Sequence, residues 1–178
     1  MKPFVLWEGE ISPEGCDQLI EDCKKYELTE AVVGAGQVNE SVRKSKVRWV
    51  SKFDKINNFL MEYFTLANRD FGFDIRSVFE IQFTEYYGSE NSHFDWHQDV
   101  AWNVSWEMQR KITLVVQLSD PSEYEGGGFE MHEQGLLEGF RKRGSILAFP
   151  AFTHHRVTPV TKGTRLSLVS WCEGLRWR

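Results

Sequence analysis

The chain has few cysteines, no long apolar run and no excess of positive charge, and each of these excludes a class of protein. Three cysteines are scattered along the sequence without a CxxC pair, which predicts reduced thiols and a cytoplasmic location. No segment is apolar enough for a signal peptide or a transmembrane helix, so no membrane association is expected. The formal net charge of −5 disfavours a protein that follows nucleic-acid phosphates.

The length and composition predict one globular domain. The 178 residues are 41% hydrophobic and 26% charged, which is enough apolar material for a buried core. The sequence shows no repeat, linker or low-complexity segment. We therefore expect a single domain over residues 1–178, with a helical part over about 1–74 and a β core over about 75–174.

Helical spacing dominates the first part of the sequence. Ser12 and Pro13 supply a capping hydroxyl and a proline at the first helical position. The apolar stripe that follows predicts a helix over about 13–26, and a second helix fits 53–68. Residues 34–41 are rich in turn-forming types and predict a loop.

From about residue 75 the apolar spacing changes to the two-residue period of strands. In the segment 78–86 we expect one face to carry Phe79, Ile81 and Phe83. The opposite face then carries Glu80, Gln82, Thr84 and Tyr86. Further strands are expected at 93–98, 111–118, 128–132, 144–149, 153–158 and 164–172. Short strands after two helices indicate an α+β protein with an all-β second half.

A histidine and an aspartate lie two positions apart in the segment 94–99. Residues i and i+2 of a strand point to the same face, so His97 and Asp99 can offer ligands to one ion. A second histidine from a distant strand would complete the 2-His-1-carboxylate triad that holds non-haem Fe(II). His155 is the preferred third ligand because the valine two residues later continues its inward-facing pattern, and His154 is the alternative.

Arg165 follows the second histidine and supplies a cation for an acidic cosubstrate. A dicarboxylate such as 2-oxoglutarate would chelate the ion through its 2-oxo acid end. Its other carboxylate needs a partner, because an unpaired buried carboxylate is very costly, and arginine offers a bidentate fork. Ser167, on the same face, and Tyr86 can add hydroxyls. No one of these features is specific alone, but together they predict an iron-dependent oxygenase.

The same motifs extend into a longer pattern over about residues 40–174. Its segments are 42–49 (VRKSKVRW), 81–86 (IQFTEY), 94–99 (FDWHQD), 110–120 (RKITLVVQLSD), 125–130 (EGGGFE), 144–150 (GSILAFP) and 155–171. This pattern resembles the Fe(II)/2-oxoglutarate-dependent oxygenases of the prolyl 4-hydroxylase type, with related bacterial and phage hydroxylases as the nearest likeness. The resemblance implies a double-stranded β-helix (jelly roll, cupin-like) with the N-terminal helices packed against it.

The resemblance also implies a set of site residues. The metal ligands of the family fall on His97, Asp99 and His155, and its 2-oxoglutarate cation falls on Arg165. Its cosubstrate tyrosine falls on Tyr86, with Tyr87 as the alternative. The implied cofactors are Fe(II), 2-oxoglutarate as cosubstrate and O2, with ascorbate as an optional addition. The chain departs from the family pattern at Phe94, where many relatives have tyrosine, and in a longer turn over 88–93.

The expected function is hydroxylation of a C–H bond, with a prolyl residue of a peptide or protein as the leading substrate. The alternatives are a hydroxylase of a free amino acid or small metabolite, and a cupin-like module that binds metal or ligand without turnover. The sequence predicts no oligomeric state. Substrate-selecting loops are expected at 34–45, 88–94 and 100–109, with Trp96, Trp102 and Trp106 as candidate walls.

Overall fold

Two helices and two antiparallel sheets make up the fold. A computed structural model describes residues 1–32, 36–50, 54–103 and 105–177. The helices are α1 (Pro13–Lys24) and α2 (Asp54–Phe71). The strands are β1 Val5–Trp7, β2 Thr29–Glu30, β3 Arg43–Lys44, β4 Lys46–Trp49, β5 Ser77–Tyr87, β6 His93–His97, β7 Met108–Gln117, β8 Tyr124–Gly126, β9 Phe129–Met131, β10 Gly135–Leu136, β11 Ile146–Pro150, β12 His155–Val157 and β13 Val160–Leu175.

Helix α1 begins, and helix α2 ends, at a residue whose chemistry explains the boundary. The Ser12 side chain accepts a hydrogen bond from the backbone of Gly15 and so caps α1. Helix α2 runs three residues past the expected end and stops at Gly72, whose φ of +70° is the left-handed conformation of a helix-ending glycine. Phe53, the expected first residue of this helix, and residues 33–35 lie outside the described residues. In the described part of the chain, no helix combines the length and apolarity needed to span a membrane.

The strands form a large and a small sheet. The large sheet has the order β1-β11-β7-β13-β5-β4-β2, with β8 also paired to β13. The small sheet has the order β10-β9-β12-β6-β3. Strand β13 pairs with β5 on one side and with β7 on the other, and every pairing recorded in the two sheets is antiparallel.

The large sheet is buried on both faces. One core cluster joins α1 and α2 to the sheet and includes Leu60, Phe64, Ile81 and Phe83. The second cluster lies between the two sheets and includes aromatic and aliphatic side chains such as Phe129, Phe149 and Val157. Helices thus cover one face and the small sheet covers the other, which confirms the predicted α+β double-stranded β-helix with helices packed against it.

The expectation that Phe79 shares a face of β5 with Ile81 and Phe83 is wrong. Its side chain is 37% exposed, whereas Val78 is 2% exposed and belongs to the helix-side core. The pairing with β13 explains the change, since Ser170 opposes Ile81 but Cys172 opposes Val78. The two residues of β5 between these pairs face a single residue of β13, and such a bulge reverses the alternation of the strand.

Candidate metal centre and cosubstrate pocket

Strand pairing brings together the two histidines that are far apart in sequence. His97 ends β6 and His155 begins β12, and the two residues are direct partners in the small sheet. Asp99 follows β6 and lies between them, with one carboxylate oxygen 3.7 Å from His97 Nε2 and the other 3.7 Å from His155 Nε2. One ligand atom from each residue lies within 4.8 Å of the others. This is the spacing of three protein ligands around one metal ion.

Backbone carbonyls orient both imidazoles. His97 Nδ1 lies 2.7 Å from the carbonyl oxygen of Asp95, and His155 Nδ1 lies 2.9 Å from that of Thr153. Each Nδ1 is therefore assigned as the N–H donor, and the two Nε2 atoms that face Asp99 are free to act as ligands.

The ionisation of the triad also suits a metal. Burial lowers the pKa of His97, and the neighbouring His155 lowers it further; the imidazole is then neutral, as a ligand must be. Burial alone would raise the pKa of Asp99, but the two histidines, Arg110 and a hydrogen bond from Thr113 lower it below its usual value. The Thr113 hydroxyl donates to Asp99 Oδ2 at 2.6 Å and holds the ionised carboxylate in place.

A hydrogen-bonded contact joins the loops before His155 and around Asp99. The backbone N–H of Asp99 donates to the carbonyl oxygen of Ala151 at 2.9 Å. The amide of Gln98 donates to the carbonyl oxygen of Phe152 at 2.5 Å. The ligands therefore have fixed positions relative to each other through the backbone as well as through their side chains.

The side chain of His154, the alternative third ligand, points away from the triad. His154 is exposed, and its ring lies 6.3 Å from that of His132. Its Nδ1 is 3.4 Å from the amide nitrogen of Gln98. The structure places His155, and not His154, against Asp99.

The triad opens into a buried pocket, called here the metal pocket. Its lining includes His97, Asp99, His155, Tyr86, Arg165 and Ser167. Arg165 lies on β13 directly opposite Tyr86 of β5, and its guanidinium carbon is 5.5 Å from the centre of the Tyr86 ring. Ser167 is on the same face of β13 as Arg165, and both are 1% exposed. All the residues expected to hold the cosubstrate thus meet the triad in one pocket.

Arg165 supplies the test of whether a dicarboxylate fits. Its Nη1 atom is buried and has no hydrogen-bond partner among the described residues, and no described carboxylate pairs with it in the way that Glu85 pairs with Arg48. A buried guanidinium without an anion is costly. The unsatisfied donor and the His-Asp-His donor set therefore fit 2-oxoglutarate and Fe(II).

The two neighbouring tyrosines face opposite sides of β5. Tyr86 is 4% exposed and lines the metal pocket, and burial raises its pKa, so the phenol keeps its proton and can donate. The Tyr87 hydroxyl donates instead to Glu85 at 2.5 Å. Of the two, Tyr86 is the one that lines the metal pocket.

Replacing Tyr86 by phenylalanine is expected to weaken 2-oxoglutarate binding by roughly tenfold to a hundredfold. The change removes one hydrogen bond to a charged group, about 1.5–3 kcal/mol. Calorimetric titration of 2-oxoglutarate into the Zn(II)-loaded protein measures the change. Tyr87→Phe is the matched control, and a loss confined to that variant would move the contact to Tyr87.

Two residues of the site were not expected from the sequence. Thr113 lies on β7 and holds Asp99, and Arg43 of β3 reaches the metal pocket. A threonine within the otherwise apolar run 112–116 was the available signal for the first. Arg43 stands in the segment 42–49 that carries the family resemblance, but no motif assigned it a role.

A wider cleft borders the metal pocket at Asp99. Its volume is about 660 Å³, and its lining includes Phe79, Trp106 and Arg110. Arg110 donates to Glu80 at 2.7 Å across the cleft wall. Phe79 is on this wall because of the bulge in β5.

The three candidate tryptophans lie in different places. Trp106 is 62% exposed and lines the cleft. Trp102 donates to the amide oxygen of Gln98 at 3.0 Å, next to the cleft. Trp96 lies on the outside of the small sheet with the Arg156 guanidinium 4.7 Å above its ring. In the expected loop 100–109, residue 104 is outside the described residues.

Comparisons with known proteins agree with the site. A curated PKHD-type hydroxylase of Azoarcus sp. (strain BH72) is 31% identical over 93 residues, which are 50% of this chain and 41% of that protein. A PKHD-type hydroxylase of Pseudoalteromonas atlantica is 31% identical over 103 residues, 55% of this chain and 44% of that protein. The chain thus spans about two fifths of the length of these curated relatives.

Solved structures share the fold at low sequence identity. The viral collagen prolyl hydroxylase of Paramecium Bursaria Chlorella virus-1, in its 2OG complex, has a TM-score of 0.74 at 20% identity and covers 98% of this chain and 97% of its own. A Trichoplax adhaerens prolyl hydroxylase has a TM-score of 0.77 at 14% identity, with 96% and 83% covered. The family model described as the 2OG-Fe(II) oxygenase superfamily matches residues 81–173. This match spans the whole metal centre and more than half of the chain, which therefore belongs to the 2OG-Fe(II) oxygenase superfamily.

Proposed function

We propose that the chain is an Fe(II)- and 2-oxoglutarate-dependent dioxygenase that hydroxylates a prolyl residue in a peptide or protein. The observation that carries the oxygenase assignment is the metal pocket itself. It joins a triad of ligand atoms within 4.8 Å of one another to a buried arginine with an unsatisfied donor. A module that only binds metal would need no such cation.

Each residue of the pocket has a role in this proposal. His97, Asp99 and His155 would hold Fe(II) through one ligand atom each. Arg165 pairs with the distal carboxylate of 2-oxoglutarate, and Tyr86 and Ser167 add hydroxyl donors to it. When bound, iron, O2 and 2-oxoglutarate together supply the oxidising chemistry and release succinate and CO2. The protein contributes orientation of the reactants and exclusion of water.

The wider cleft is the proposed substrate site. It reaches Asp99 and offers aromatic faces on Phe79 and Trp106. A proline ring packs well on such faces. The Trichoplax neighbour was solved in complex with a peptide fragment of hypoxia inducible factor, which supports a peptide over a free amino acid.

Succinate release in air separates an oxygenase from a binding module. We expect the protein with Fe(II) and 2-oxoglutarate to form succinate slowly alone and faster with proline-containing peptides. A product gaining one oxygen, detected by mass spectrometry, identifies the hydroxylated peptide. If free proline or another small metabolite stimulates turnover and no peptide does, the enzyme is a small-molecule hydroxylase.

Trp106→Ala is expected to reduce the peptide stimulation several-fold and to leave the peptide-independent background unchanged. The removed ring faces the cleft and touches neither the triad nor Arg165, and one aromatic contact is worth about 0.5–1.5 kcal/mol beyond its area. Trp49→Ala is the matched control, because Trp49 is 44% exposed on β4 and lies outside the cleft lining. An equal loss of peptide stimulation in both variants would mean that the cleft is not the substrate site.

A further inference from the structure

Two arginines are more than nine-tenths buried in the described part of the chain, and both line the metal pocket. Arg43 is 8% exposed and Arg165 is 1% exposed. Neither forms an ion pair with a described carboxylate. Four half-buried arginines elsewhere do: the pairs are Arg48–Glu85, Arg110–Glu80, Arg143–Asp17 and Arg156–Glu130. A fifth, Arg141, donates instead to the carbonyl oxygen of Gly126. Lys111 is also buried without a described ion-pair partner, but its ammonium lies 3.5 Å from the centre of the Trp177 ring. Among the described arginines, the two buried ones without an ion pair both line this pocket.

The contacts of Arg43 fix its orientation but leave most of its donors free. Its Nε donates to the buried Ser45 hydroxyl at 3.1 Å. Its guanidinium carbon lies 4.5 Å from the centre of the Phe94 ring, and that ring stacks on the imidazole of His97 with centroids 3.5 Å apart. The described residues provide no hydrogen-bond acceptor for its two terminal nitrogens.

These contacts account for only part of the cost of burying the charge. A single hydroxyl and an aromatic face compensate a desolvated guanidinium less well than a carboxylate does. Asp99 is the one ionised acid among the lining residues, and it also faces the metal. With Fe(II) and a doubly charged cosubstrate in place, the two arginines still leave the pocket with net positive charge.

We propose that Arg43 is a second anion-binding residue of the metal pocket and that it takes a carboxylate. The inference rests on the proposed function for the nature of the ligands. The carboxylate has two possible sources, the 2-oxo acid end of the cosubstrate or an acidic group of the substrate bound beside it. Arginine suits either, since its planar fork binds carboxylates through two nitrogens.

The test is calorimetric titration of the Zn(II)-loaded protein, which needs no turnover. Arg43→Met keeps an unbranched side chain on Phe94 and removes the charge. Arg156→Met is the matched control, because Arg156 also covers an aromatic ring of β6, that of Trp96, but faces away from the pocket. Each protein is titrated with 2-oxoglutarate, and the 2-oxoglutarate complex is then titrated with propionate as a monocarboxylate probe.

A fall in 2-oxoglutarate affinity of about tenfold or more in Arg43→Met alone assigns the carboxylate to the cosubstrate. Unchanged 2-oxoglutarate affinity with a similar fall for propionate assigns it to the substrate. If both affinities stay within about twofold of the wild type, Arg43 is a structural residue and the proposal is wrong.

A folding defect in Arg43→Met would be visible in its thermal melt, and Arg43→Lys then decides. Lysine keeps the charge without the fork, so carboxylate affinity should fall less than in Arg43→Met but remain below wild type; wild-type affinity for both anions would overturn the proposal. Failure of the proposed function looks different, because the wild-type protein itself would then not bind 2-oxoglutarate or form succinate.

Discussion

Alanine in place of His97, Asp99 or His155 is expected to abolish turnover and to lower metal affinity by more than about a hundredfold. Loss of a residue that merely supports a ligand typically costs ten- to a hundredfold in affinity, and each of these variants removes a ligand itself from a set of three. Iron occupancy after equilibrium dialysis and succinate formation measure the two effects. Thermal melts of the metal-free proteins show whether the fold survives.

His154→Ala and His132→Ala are the matched controls for the triad. Both side chains are exposed histidines outside the metal pocket, and both variants should keep most of the activity. The assignment of His155 as the third metal ligand would be wrong if His154→Ala lost iron while His155→Ala retained it. Retention of iron by all three triad variants would show that the metal does not bind at this position.

Arg165→Ala is expected to leave the iron site assembled and to weaken 2-oxoglutarate binding by about a hundredfold or more. Removing one partner of a buried charge pair costs about 3–5 kcal/mol, and Arg165 is buried with a donor that no described residue satisfies. The measurement is the Kd for 2-oxoglutarate at saturating metal, together with the metal affinity itself.

Two further variants, Arg165→Lys and Arg156→Ala, separate the effects of charge, of guanidinium geometry and of general destabilisation. Lysine keeps a positive charge but lacks the fork, so its affinity should lie between those of wild type and Arg165→Ala. Arg156 is paired with Glu130 at 2.7 Å outside the pocket, and its loss should not change 2-oxoglutarate binding. Unchanged affinity in Arg165→Ala would contradict the assignment of this residue.

The arrangement of the metal centre could be anticipated because two local sequence patterns, far apart in the chain, each supply metal ligands. The two-residue spacing of His97 and Asp99 and the inward pattern around His155 are local features. Their meeting depends on the pairing of β6 with β12, for which only the family resemblance provided a guide. The start of α1 was also readable, since Ser12 marks it by its own chemistry. The end of α2 was not, because the helix was expected to stop at residue 68 and runs to Phe71.

Features that depend on register between strands could not be read in the same way. The bulge that turns Phe79 towards the cleft arises from the pairing of β5 with β13, and nothing in the segment 78–86 announces it. Arg43 belongs to a two-residue strand whose partner is Phe94. A charged residue in so short a segment looks like a surface residue until its neighbours in space are known.

The two halves of the pocket differ in how firmly the backbone holds them. Arg165 and Ser167 lie inside the sixteen-residue β13, which has a strand on each side, whereas the histidines lie on strands of five and three residues. Amide hydrogens of β13 should therefore exchange with solvent only on global opening, and those of β6 and β12 on smaller fluctuations. A metal ion that joins β6 to β12 would slow exchange on its own side of the pocket. The side of the pocket formed by β13, which carries Arg165 and Ser167, would then be rigid before the metal or the anion binds. Metal binding would make the side formed by β6 and β12 more rigid.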